Sequence, residues 1–341
     1  MKQFDTITSG KVATARRRIL GAGAGALAVC VAPSSLRAQQ AWPSRPIRFV
    51  AAQGPGASND ATARAWADYL ATRLNASVVV ENKPGAAGMI AAERATCSAP
   101  DGHTYLVTLH SQLAQAPVLL KKPPIDTSKD LVPIAMMSTG TSPAIVKKDL
   151  PVNNLKELVE LARKRPVTVG NYSIGSGWQM MVSQMAKDTG AQFDIIHYKG
   201  TGPMMVDLVS GQIDMGAGSL AGVGPAIQRG AVRPVALISG RQTDRLPGVQ
   251  TLAEQGFVGP AYQNLQECNM LLAPAGTPPE IVERMAALVE ESGAQSERVK
   301  NLLTTLVVNE PMLTGAALRA FIDRTWPVYQ AMTRELKLTT D

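Results

Sequence analysis

The stretch "FVAAQGPGASNDATARAWADYL", Phe49 to Leu70, decides the fold. A short apolar run ends in a Gly-rich loop, and an Ala-rich helical segment follows at once. Strand, tight loop and helix in that order form the repeating unit of α/β sheets. The loop also presents bare backbone N–H groups at a helix start, which suits an anion. Asp60 falls at the N-cap or in the first turn, where a carboxylate stabilises the helix. Ser58 and Asn59, with the neighbouring N–H groups, are then free to meet a ligand. A plain chain reversal accounts for Gly54, Pro55 and Gly56 without any ligand, but not for the Ser–Asn–Asp cluster behind them.

The same unit restarts at "VTVGNYSIGSGWQMMVSQMAKDTG" (167–190), which brings Ser173, Gly175, Ser176, Gly177 and Trp178 to a second helix start. An indole in such a loop can stack on a planar ligand or plug a contact between domains. Around the two units, strand-like runs at 47–52, 76–82, 103–110, 193–200, 213–220 and 232–239 alternate with helical ones. "DLVPIAMMSTG" and "SPAIVKKD" add two strands joined near Gly140. The clearest helix is "NNLKELVELARKR" (153–165), with Leu155, Leu158, Val159 and Ala162 at i, i+3, i+4 and i+7. This rhythm predicts mostly parallel sheets with helices on both faces. Ligands of open α/β sheets bind outside the C-terminal strand ends, so two such loops facing each other would frame an interdomain cleft.

The N-terminal segment stands apart. "ARRRILGAGAGALAVCVAP" (15–33) is basic, then apolar, and small or neutral residues follow up to a cleavage point near Ala38. That order reads as an export signal, with Arg16 and Arg17 resembling the twin-arginine type, although general secretion remains open. Residues 1–38 hold six of the 34 basic residues and one of the 27 acidic ones, so the remainder carries 28 against 26, a net of +2. The overall +7 is therefore largely the signal's, and nucleic acid is not expected as a partner. The roughly 300 residues left exceed what one core usually supports, so two domains are expected. They contain Cys97 and Cys268, which could be free or paired.

Catalytic patterns are sparse. The loop at Gly54 breaks the dinucleotide fingerprint at Asn59, where a third glycine belongs, and no Gly-Lys-Ser/Thr phosphate loop occurs. His103, His110 and His197 lack metal-ligand spacing, so no metal or cofactor is expected. There is no G-x-S-x-G elbow, but His110 next to Ser111 at a strand end leaves an exported α/β hydrolase as an alternative.

The stretches "WPSRPIRFV" (42–50), "GPGASND" (54–60), "VVVENKPGAAG" (78–88), "APDGHTYL" (99–106), "YKG" (198–200), "DLVSGQID" (207–214) and "LLAPAGTPPEIVERM" (271–285) come in an order that resembles one family. It is that of the periplasmic solute-binding proteins of tripartite tricarboxylate transporters, the Bug family. The resemblance implies a two-domain, type II flytrap fold of the periplasmic binding proteins, with no enzymatic activity. Residues 39–141 with 265–341 would form one domain and 142–264 the other. The protein would be a periplasmic monomer that captures a small organic acid and delivers it to membrane permease subunits, or serves a signalling partner. The implied ligand contacts are Ser58, Asn59, His110 and Ser111 from one domain. From the other come Ser173, Gly175, Ser176, Gly177, Gly218 and Ser219, with Trp178 beside them. Gly218 replaces an Asp that in many members accepts an amino group, so an amino-acid ligand is not expected, and an aromatic or bulkier carboxylate stacking on Trp178 is.

Overall fold

The computed structural model describes residues 42–238, 241–263, 267–308 and 311–339; the proposed export signal lies outside them. The chain begins with β1 (Ile47–Ala51), α1 (Ser58–Leu74), β2 (Val78–Asn82), α2 (Met89–Thr96), β3 (Thr104–Leu109), α3 (His110–Leu119) and β4 (Leu131–Thr139). It then crosses into a second sheet: β5 (Pro143–Lys147), α4 (Leu155–Lys164), β6 (Val167–Asn171), α5 (Gly177–Thr189), β7 (Phe193–His197), α6 (Thr201–Val209), β8 (Met215–Ala217), α7 (Leu220–Gln228) and β9 (Val232–Leu237). After a short helix, α8 (Pro260–Gln263), it returns to the first sheet as β10 (Cys268–Pro274). The chain closes with α9 (Pro279–Gln295), α10 (Glu297–Leu306), β11 (Leu313–Thr314) and α11 (Gly315–Glu335).

The first sheet runs β11-β4-β10-β3-β1-β2 and the second β7-β6-β8-β5-β9. Both are mixed. Strands β2, β1 and β3 are parallel, while β10 lies antiparallel between β3 and β4. In the second sheet β5, the strand that enters from the first, lies antiparallel between β8 and β9. Each lobe therefore contains one strand reversed by a crossing between sheets. β3 and β10 are buried along their whole lengths, as strands covered on both faces must be.

Local signals account for the helix starts. Asn154 caps α4 by accepting from the Glu157 N–H at 2.9 Å, and Glu157 reaches back to the Asn153 N–H at 2.7 Å. Ser176 caps α5 in the same way, accepting from the Gln179 N–H at 3.1 Å, while the Gln179 amide oxygen accepts from the Gly175 N–H at 2.9 Å. Asp60 is in the first turn of α1, behind Ala57 as N-cap. Burial acts to raise its pKa, but bonds from Arg64, Gly56 and Asn82 prevail and hold it below the usual carboxylate value. The strand expected to run through 110 stops at Leu109, and His110 opens α3, a helix missed in the sequence because its Leu, Ala and Gln residues show no clean amphipathic face.

Apolar side chains form two large clusters. One fills the outer face of the first sheet around Phe49, Trp66, Tyr105 and Val289. The other continues from Val50, Met89 and Leu113 through Tyr329 to Tyr172 and Trp178 of the second lobe. Cys97 is exposed and Cys268 buried, and both are free.

Candidate functional site

The two lobes meet along their strand ends. Gly54 donates to the Lys199 carbonyl at 3.2 Å, joining the β1–α1 loop to the β7–α6 loop. A Cβ on Gly54 would lie 3.1 Å from that carbonyl oxygen, so this approach favours glycine. From α3, Gln112 donates to the Ser173 hydroxyl at 2.8 Å and Gln115 to the Gly175 carbonyl at 2.6 Å.

Between these contacts lies a narrow cavity of about 30 Å³, room for a water or two as the lobes now stand. The first lobe supplies Gln53, Ser58, Ser138, Glu267 and Asn269 to its wall, and the second Tyr172, Thr201, Gly218 and Ser219. Three helices begin on this wall: α1 with Ser58, α6 with Thr201, and α7, whose N-cap residue is Ser219. Each helix start carries partial positive charge and a hydroxyl. An amide–hydroxyl network sets the first-lobe side: Asn269 donates to Ser58 at 2.8 Å and to Ser138 at 2.9 Å, and accepts from Asn59. Gln53 fixes the same loop by accepting from the Asn59 N–H at 3.1 Å. Among the described residues, no Lys, Arg or His lines the cavity.

Glu267 is the ionisable acid of the wall. It stands deep between the lobes, with part of its surface open to the cavity. Its carboxylate accepts from the Gly177 N–H, the first of α5, and from the Ser111 hydroxyl at 3.1 Å. Burial pushes its pKa up to about 7, against the opposing pull of those two donors.

The residues expected from sequence divide into two sets. Ser58, Gly218 and Ser219 line the cavity, and Asn59 stands directly behind Ser58. Ser173, Gly175, Ser176 and Gly177 lie at the lobe contact, but their polar groups are already engaged within the chain. Ser173 accepts from Gln112, Ser176 donates to Asn171 at 2.7 Å, and Gly177 holds Glu267. Ser111 is fully buried and donates to Glu267.

Two expectations are corrected. Trp178 does not face the cleft: it is 1% exposed, in the second lobe's core, and its indole donates to the Gly170 carbonyl at 3.1 Å. The ring packs into the apolar cluster and does not line the cavity. His110 is fully buried against Phe321 and Tyr329, with ring centroids 5.2 and 4.9 Å away. Its ring nitrogens have no hydrogen-bond partner among the described residues, and burial lowers its pKa to about 3. The Ser111–His110 pairing behind the hydrolase alternative is therefore not made.

Thr201, Ser138, Glu267 and Asn269 were missed. A threonine directly after "YKG" at a helix start was one available sign. The alternating polar pair Glu267 and Asn269, at the entry of an apolar strand, was another.

The model of the tripartite tricarboxylate transporter family receptor matches residues 62–323. Protein BugT of Bordetella pertussis is 30% identical over 284 residues, 82% of this chain and 86% of its own. A UPF0065 protein of a Pseudomonas species, from the tcbD-tcbE intergenic region, is 30% identical over 291 residues, 84% of each chain. The periplasmic binding protein BugD superposes with a TM-score of 0.80 at 26% identity, over 88% of this chain and 100% of its own. An R. palustris protein solved with adipate shares the fold, with a TM-score of 0.80 at 24% identity, over 87% of this chain and 98% of its own.

Proposed function

We propose, from the premise that this chain belongs to the tripartite tricarboxylate transporter receptor family, that it is exported to the periplasm, captures a small organic acid between its lobes and passes it to permease subunits. The observation that carries this reading is the convergence of the α1, α6 and α7 starts, with Ser58, Thr201 and Ser219, on one cavity between the lobes. Neutral hydroxyls and helix N-termini can hold a carboxylate without a basic side chain. Asn59, Gly218 and Asn269 complete the contact set. With Trp178 buried in the core, an aliphatic acid is favoured over an aromatic one. The export signal would be cut near Ala38. Residues 39–141 with 265–341 and residues 142–264 would move as two bodies around a monomer's single site.

Isothermal titration at pH 6 with propionate, succinate, citrate and benzoate tests the reading. At least one aliphatic acid should bind, and Ser58→Ala or Thr201→Val should weaken it about tenfold, the loss of one charge-assisted hydrogen bond. Equal binding of the acid and its primary amide would refute it.

A further inference from the structure

In the sequence, the N-terminus of α5 looks like half of an anion site. In the structure that position is taken by the protein's own acid: Glu267, from the start of β10 in the first lobe, accepts from the Gly177 N–H of the second. The same residue forms part of the cavity wall. An acid captured here would either compete with Glu267 for the α5 start or lie beside it.

Among the described residues, no cation lines the cavity to balance two carboxylates. The titratable groups around Glu267 are Tyr172 ahead of α5, Cys268 on β10, Tyr329 on α11 and His110 on α3. Burial raises the first three well above their usual values and lowers His110, so all four are neutral near pH 7. Its direct partners, Ser111 and Gly177, are neutral donors. Lys199 and His197 are exposed and line a separate crevice on the far side of Gln53. Two carboxylates confined without a cation do not both stay ionised; one takes a proton.

We propose that Glu267 makes capture of an acidic ligand proton-coupled: a carboxylate occupies this cavity only as Glu267 takes up a proton, and affinity falls as the pH rises. This rests on the acid-binding reading above. With Glu267 titrating near 7 in the empty site and held protonated in the complex, linkage gives about a tenfold loss of affinity from pH 6 to pH 8. It also gives about 0.9 proton taken up per ligand at pH 8.

The test uses propionate and succinate, titrated calorimetrically at pH 6, 7 and 8 in two buffers of different ionisation enthalpy. Propionate is ionised throughout this range, so a pH effect on it belongs to the protein. The expected result is the tenfold loss with proton uptake in the native chain, and tight, pH-independent binding in Glu267→Gln, which carries a permanently neutral group of the same shape. Binding of unchanged affinity and no proton uptake in the native chain would overturn the proposal and leave the acid-binding reading standing. No binding of either acid at any pH, by the native chain or the variant, would overturn both. The proton count on the native chain decides the matter even if the variant fails to fold.

Discussion

Glu267 has a consequence that needs no ligand. Its carboxyl titrates at about 7 in the folded chain against 4.5 for an unperturbed glutamate, because the protein around it disfavours the charged form. The folded state therefore holds this proton more tightly than the unfolded chain. A raised pKa contributes stability that is fully present below about 4.5 and is lost as the pH rises through about 7. The rise from 4.5 to about 7 corresponds to a ceiling of between about 3 and 4 kcal/mol, which the partial exposure of Glu267 lowers. Glu267→Gln cannot ionise and should remove this component. Equilibrium urea unfolding of both proteins at pH 4.5 and pH 8 measures it: the native chain should lose about 2–3 kcal/mol more than the variant over that interval. Parallel losses would show that Glu267 ionises freely, and the reasoning from its surroundings would be wrong.

Other residues allow independent checks. Asp214 accepts from Arg165 and Lys147, and although burial opposes them these bonds lower its pKa to about 2, so Asp214→Asn should cost about 2 kcal/mol at pH 7 and the native chain should lose the same amount as the pH falls from about 4 toward 2; equal acid sensitivity of variant and native chain in denaturant melts would refute this. Gly54→Ala places a methyl against the Lys199 carbonyl, so ligand affinity should fall while the unfolding midpoint hardly moves, and small-angle scattering should show less compact liganded protein. Trp178→Phe leaves the Gly170 carbonyl without its donor in the core and should cost about 2 kcal/mol, with the order of preference among acids unchanged in titrations.

The alternation of strand, loop and helix was legible because each step is local. The glycines at 54 and 175, the capping residues Asn154 and Ser176, and the apolar spacing of α4 lie within a few residues of what they control. The placing of Ser58, Gly218 and Ser219 at strand-end helix starts, where the structure puts them on the cavity wall, was legible for the same reason. Which donors were still free was not legible. Gly177 and Ser111 are consumed by Glu267 from 90 and 156 positions away, and Asn59 by Asn269 from 210 away. The sheets are mixed because the chain changes lobes twice, placing β5 and β10 antiparallel, a fact that no local pattern encodes. Sequence alone thus determined the elements and the end of each sheet where a ligand could lie, because backbone conformation and hydrophobic period act over one or two turns. Tertiary structure decided the contents of the site: it turned Trp178 and His110 into core and brought an acid into the cavity, since burial and hydrogen-bond partners depend on which distant segments meet.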